Sequence, residues 1–148
     1  MKTTFTAAAF ALLAAPAFAE GHATGDAANG EEQFNRQCVA CHVVVNDDGE
    51  TLAGRNARTG PNLYGVAGGV IGSVEDFRYG DALLTLNENG EVWDEEKFVG
   101  YVQDPTPWLR EFLDDSRARG KMAFKVREEQ DALDMYAYLA SLAPADDS

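Results

Sequence analysis

Cys38-Val39-Ala40-Cys41-His42 puts two thiols three positions apart, with an imidazole at the next position. Three chemistries use such a pair. A dithiol can cycle with a disulfide, and two thiolates can form half of a tetrahedral zinc site; alternatively, two thiols can add to the vinyl groups of a haem while the adjacent His meets the iron. The first needs a parallel βαβ setting, for which the chain has no pattern, and zinc would have to recruit His42 plus His22 or a carboxylate. The His directly after the second Cys points to covalent attachment of one haem through Cys38 and Cys41, with His42 on the iron. The outer nitrogen of a ligating His ordinarily donates to a carbonyl or carboxylate, and the carbonyl of Pro61 is the natural candidate.

A sixth ligand must come from Met122, Met135 or His22, the remaining Met and His side chains once the first 19 residues are set aside. Met135 lies in an apolar C-terminal segment, where an unbranched thioether reads as core filling. His22 lies close to the N-terminus. Met122, in Gly120-Lys121-Met122-Ala123-Phe124, is 80 residues beyond His42 and can wrap the opposite face of the macrocycle. We assign it as the axial ligand. A His and Met pair raises the reduction potential and fills both axial positions, which suits a carrier rather than an enzyme. The competing reading is a haem enzyme or gas sensor with an open sixth site.

The elements that must position these residues are short helices. Asp26 is placed to cap a first helix that carries Phe34 and closes at the cysteines. Residues 43 to 72 hold eight glycines and prolines, including Gly60-Pro61 and Gly68-Gly69, so irregular backbone is expected there. Asp94 can cap a helix to about Gln103, before Pro105 and Pro107, and Trp108 to Leu113 can add a turn or two. Leu133 to Ala140 read as a C-terminal helix apolar around most of its circumference. No pair of strands with period-2 alternation and no internal repeat is present. The expectation is an all-α fold of three to five short helices wrapped around one haem, whose apolar macrocycle supplies buried surface that so few helices lack.

Lys2 and the apolar run to Phe18, ending Ala17-Phe18-Ala19, read as a secretory signal over residues 1 to 19, with a single domain over residues 20 to 148. A periplasmic location follows. Without Lys2 the chain has 11 basic and 25 acidic side chains, a net charge of −14, which disfavours nucleic acid and anionic membrane as partners. Cleavage after Ala19 would make His22 the third residue, in Glu20-Gly21-His22, a spacing able to wrap Cu(II) or Ni(II); an incidental terminal His is the plainer reading. Residues 117 to 127 run against the overall charge, with Arg117, Arg119, Lys121, Lys125 and Arg127 and no acid. The two ends of the chain are acidic. If Met122 lies at the haem face, a basic front would steer the exposed haem edge toward an acidic partner.

Several further stretches carry a resemblance: Arg58-Thr59-Gly60-Pro61-Asn62-Leu63-Tyr64-Gly65, Phe77-Arg78-Tyr79, Val92-Trp93, Tyr101 with Asp104-Pro105, Lys121-Met122 and Tyr138-Leu139. With Phe34 and the attachment motif, the chain resembles class I cytochromes c, specifically the larger cytochrome c2 type of purple and related bacteria, over residues 26 to 140. The resemblance implies that Gly30 and Phe34 cross the C-terminal helix near Met135 and Tyr138. It also implies that Arg58, Tyr79 and Trp93 bind or shield the haem propionates and that Tyr101 sits beside Met122. It implies a monomer that takes electrons from a cytochrome bc1 complex. The acceptor would be a photosynthetic reaction centre, a terminal oxidase or a denitrification reductase. Asn46 to Thr51 and Trp108 to Arg117 are extra relative to the short mitochondrial form, and the long loop before Met122 could leave the iron–sulfur bond easier to break.

Overall fold

The computed structural model describes residues 23–144; the signal segment, His22 and the acidic tail fall outside them. Five helices and one small hairpin follow in chain order: α1 (Ala27–Gln37), β1 (Val44–Val45), β2 (Thr51–Ala53), α2 (Asp81–Glu88), α3 (Glu95–Gln103), α4 (Pro105–Phe112) and α5 (Glu129–Ser141). The hairpin departs from the sequence expectation. Its antiparallel strands have two and three residues with an irregular register, too short for alternation to show as a pattern. Helix α2 is a second departure: Gly80 is its N-cap and offers no side chain, so the usual Ser, Thr, Asp or Asn start signal is missing. Helix α4 starts earlier than expected because Pro105 takes its first position, where a missing N–H costs nothing and the ring presets φ.

Two helices frame the molecule, α1 and α5. Asp26 caps α1 by accepting from the backbone N–H groups of Ala28 (2.9 Å) and Asn29 (3.2 Å). The two helices cross at Gly30, where any Cβ would run into the Asp134 carbonyl oxygen and would stand 2.9 Å from Tyr138 Cβ. One turn on, Phe34 is fully buried against Tyr138, with ring centroids 5.7 Å apart. Met135 and Leu139 complete the buried seam.

A carboxylate locks that crossing. Asp134 is 1% exposed and has no cationic partner among the described residues; it accepts instead from the Asp26 N–H (2.8 Å), the Gln130 amide (2.8 Å) and the Asn29 amide. Burial alone would raise its pKa, but these donors outweigh it and hold the carboxyl below its ordinary value. A group with a depressed folded pKa stabilises the fold above its unfolded pKa, and that contribution is lost as the pH falls through the folded value. Asp134→Ala is therefore expected to cost about 1–3 kcal/mol at neutral pH, because three donors lose their acceptor. Urea unfolding checks it: the difference from the parent should shrink below about pH 4, and a difference constant down to the acid limit would exclude the carboxylate as its source.

Candidate functional site

The loop after α1 is wound so that its reactive groups share one side. Cys38 ends the helix by donating its N–H to Phe34 O, and the N–H groups of Cys41 (3.0 Å) and His42 (2.9 Å) both bond back to Cys38 O. Alongside runs the Gly60–Leu63 segment, tied by Gly60 N to Cys41 O (2.7 Å), Leu63 N to Val43 O (2.9 Å) and the Asn62 side chain to both backbone groups of Val45. That pairing sets Pro61 O 2.9 Å from His42 Nδ1. A carbonyl only accepts, so Nδ1 carries the proton and Nε2 keeps its lone pair for a metal. Burial lowers the His42 pKa, opposed by the Pro61 bond, which favours the neutral imidazole, the form able to bind a metal. Gly60 lies close against the ring; a Cβ there would overlap His42 Cε1.

These residues open onto a cavity of about 740 Å³, within the size of small-molecule and cofactor clefts, roughly 300–1,000 Å³. Cys38, Cys41, His42, Pro61 and Met122 line it together, as do Tyr79, Trp93 and Tyr101. Met135 also reaches it, but its sulfur lies 3.8 Å from Cys38 Sγ, on the attachment side. Arg58 does not reach it: in this segment the lining starts at Thr59, just before Gly60 bonds Cys41, and Arg58 is left exposed outside; Arg78 and Lys121 line the cavity instead. Gly60 as a cradle and Phe124, 47% exposed yet lining the cavity, were missed by sequence reasoning. Gly60-Pro61 signalled a turn, but nothing local said which side chain would pack on it.

The lining chemistry fits a flat, apolar cofactor with a polar edge. Tyr101 and Trp93 are 7% and 8% exposed, yet neither the phenol nor the indole N–H meets a protein hydrogen-bond partner among the described residues. Burial, with Tyr79 nearby, pushes the Tyr101 phenol up to about 12, so it stays a neutral donor. Tyr79, which accepts from Val74 N at 3.4 Å, is raised by burial too. The alternatives to haem fit poorly. Burial and the neighbouring Cys41 push the Cys38 thiol up to about 12, the opposite of an activated redox thiolate. Among the described residues no three His, Cys, Asp or Glu side chains are grouped to hold a metal, as zinc would require.

Helices wrapped about this cavity, with a Cys-x-x-Cys-His loop on one side and a Met on another, define a class I c-type cytochrome. No protein-family model matches the chain. It is 63% identical over 119 residues to cytochrome c2 of Rhodovulum adriaticum, covering 80% of this chain and 94% of that protein. It is 50% identical over 144 residues to cytochrome c2 of Cereibacter sphaeroides, covering 97% and 95% respectively. Among solved structures, cytochrome c2 from Rhodobacter sphaeroides superposes with a TM-score of 0.77 at 50% identity, covering 80% of this chain and 96% of that one. Ferric cytochrome c-550 from Paracoccus versutus gives 0.74 at 48%, covering 81% and 99%. The chain belongs to the cytochrome c2 family. It is an electron carrier and not an enzyme, and its cofactor is one covalent haem c with His and Met ligation.

Proposed function

We propose that Cys38 and Cys41 form the two thioethers, that His42 and Met122 are the axial ligands, and that the protein shuttles single electrons in the periplasm. The observation that carries the assignment is the shared cavity: His42, oriented by Pro61 O at 2.9 Å, faces the same space as both cysteines and Met122. The bound haem supplies a reversible one-electron change at its iron. The protein's part is to hold that iron still. Pro61 would fix the imidazole tautomer, Met122 would supply the second axial ligand, and Tyr79, Tyr101 and Trp93 would offer neutral donors to the polar edge of the group. With His42 and Met122 both holding the iron, small ligands would have no place to react, and the chemistry left to the group would be one-electron transfer.

The leader over residues 1 to 19 accounts for export, and no helix among the described residues is long and apolar enough to cross a membrane. A soluble carrier between a cytochrome bc1 complex and a reaction centre, terminal oxidase or reductase is the reading these features support. Docking falls to the basic run, whose effective charge is smaller than its composition suggests. Lys125 pairs with Asp104 (2.6 Å) and Arg117 with Asp115 (3.4 Å), leaving Arg119, Lys121 and Arg127 exposed without an ion pair among the described residues. Lys121 is further engaged, donating to Arg78 O at 2.7 Å.

Arg119→Glu is the cleaner test, since Arg119 makes no such bond. Delivery of electrons to an isolated reaction centre or oxidase should slow about tenfold at low ionic strength and recover most of the rate at high salt. Equal slowing at all salt concentrations would rule out electrostatic steering by this face.

A further inference from the structure

The segment leading to Met122 is long, but it is not slack, because α4 carries it. Gly120 N–H donates to Thr106 Oγ1 (3.0 Å) and Arg110 Nε to Ala118 O (3.1 Å). Gly120 lies so close to α4 that a Cβ would stand 3.0 Å from Pro105 Cβ and 3.5 Å from Leu109 Cδ1. Beyond Met122, Val126 N bonds Val102 O on α3 at 2.9 Å. The thioether is thus held at both sides by α3 and α4.

Leu109 and Pro105 bury α4, and Trp108 ties it to the wall of the cavity. Its ring stacks on Trp93, centroids 6.0 Å apart at 30°, and meets Tyr101 edge-on at 5.8 Å and 83°. Both partners line the cavity, whereas Trp108 does not. On its outer side it stacks on Phe112 at 4.8 Å and 22°. The indole sits in a notch left by Gly100 on α3, where a Cβ would come within 2.6 Å of Trp108 Cδ1 and Nε1. Aromatic contacts of this kind exceed simple area burial in strength and are directional. On α4, Trp108 makes the aromatic contacts to the cavity wall, so changes in Trp108 should propagate to the ligand segment.

We propose that Trp108 and Thr106 are positioning residues for Met122: Trp108 bolts α4 to the aromatic wall of the cavity, and Thr106 passes that position to the ligand segment through Gly120. This rests on the assignment of Met122 as axial ligand. A loosened segment spends more time with the sixth position open, and an added ligand binds more tightly in proportion to that open fraction.

The test titrates imidazole into the oxidised holoproteins and measures their midpoint potential and thermal unfolding. Trp108→Leu should bind imidazole about tenfold more tightly than the parent, Trp108→Phe should stay within about threefold, and Thr106→Val should fall between them. Asp134→Ala, at the far α1/α5 crossing, serves as a variant destabilised elsewhere and should leave imidazole affinity unchanged. Parent-like affinity and potential in both Trp108→Leu and Thr106→Val, with only a lower melting temperature, would overturn the proposal. So would an equal rise in affinity in Asp134→Ala. If Trp108→Leu does not fold, Thr106→Val decides alone, and parent-like affinity there refutes the proposal. A parent lacking the Met-to-iron charge-transfer band would instead fell the ligand assignment, and this proposal with it.

Discussion

Met122→Ala is expected to abolish the Met-to-iron charge-transfer band and to open the sixth position to carbon monoxide, which the parent should not bind tightly. The soft thioether stabilises the reduced iron, so its loss should also lower the midpoint potential, by on the order of 0.1–0.3 V. The effect on folding should be smaller than the effect on ligation. Met122 is only half-buried, so truncation should cost about 2 kcal/mol, near the low end for a buried Met. The optical spectrum beside the parent's is sufficient. Survival of the band would transfer the role to another side chain, and Met135 is the only other thioether lining the cavity among the described residues. Its sulfur at Cys38 makes it a poor candidate.

Gly60→Ala should have the second large effect, and it acts on the other proposed ligand, His42. The added methyl overlaps the His42 ring, and the ring cannot retreat without stretching its 2.9 Å bond to Pro61 O. Overpacking of this kind costs about 1–3 kcal/mol, and disturbing the partner that orients a ligating His costs roughly 10–100-fold in metal affinity or activity. The expected result is a severalfold lower yield of holoprotein and a shifted midpoint potential. Gly68→Ala supplies the comparison. Gly68 has φ +77°, and a methyl added there would meet nothing within 4 Å. That variant should lose about 1–2 kcal/mol of stability through backbone strain while its potential stays at the parent value. Identical behaviour of the two variants would remove the steric argument at Gly60.

The elements that were legible in the sequence are those with local causes. Asp26 and Asp94 cap α1 and α3 through atoms two or three residues away, and α5 advertises itself by its apolar residues. Helix α2 lacks such a cap, and the β1/β2 strands, two and three residues long, are too short for alternation to repeat, so neither left a signal. The basic run was legible as a charge count, but its pairing was not: Asp104 lies 21 positions from Lys125, and only folding brings them to 2.6 Å.

The site divides the same way. Cys38, Cys41 and His42 are neighbours in the chain, so the haem chemistry proposed for them is read from covalent spacing, and the scarcity of Met and His left Met122 as the ligand to propose. How well those ligands are held is a matter of distant segments in contact. Gly60 cradling His42, Asp134 bonding Asp26 across 108 positions, Arg58 left outside the wall and α4 carrying Gly120 all arise from close packing of surfaces whose residues have no local reason to meet. The proposed haem attachment was therefore legible in five consecutive residues, whereas the packing around the proposed axial ligands was decided only by the tertiary structure.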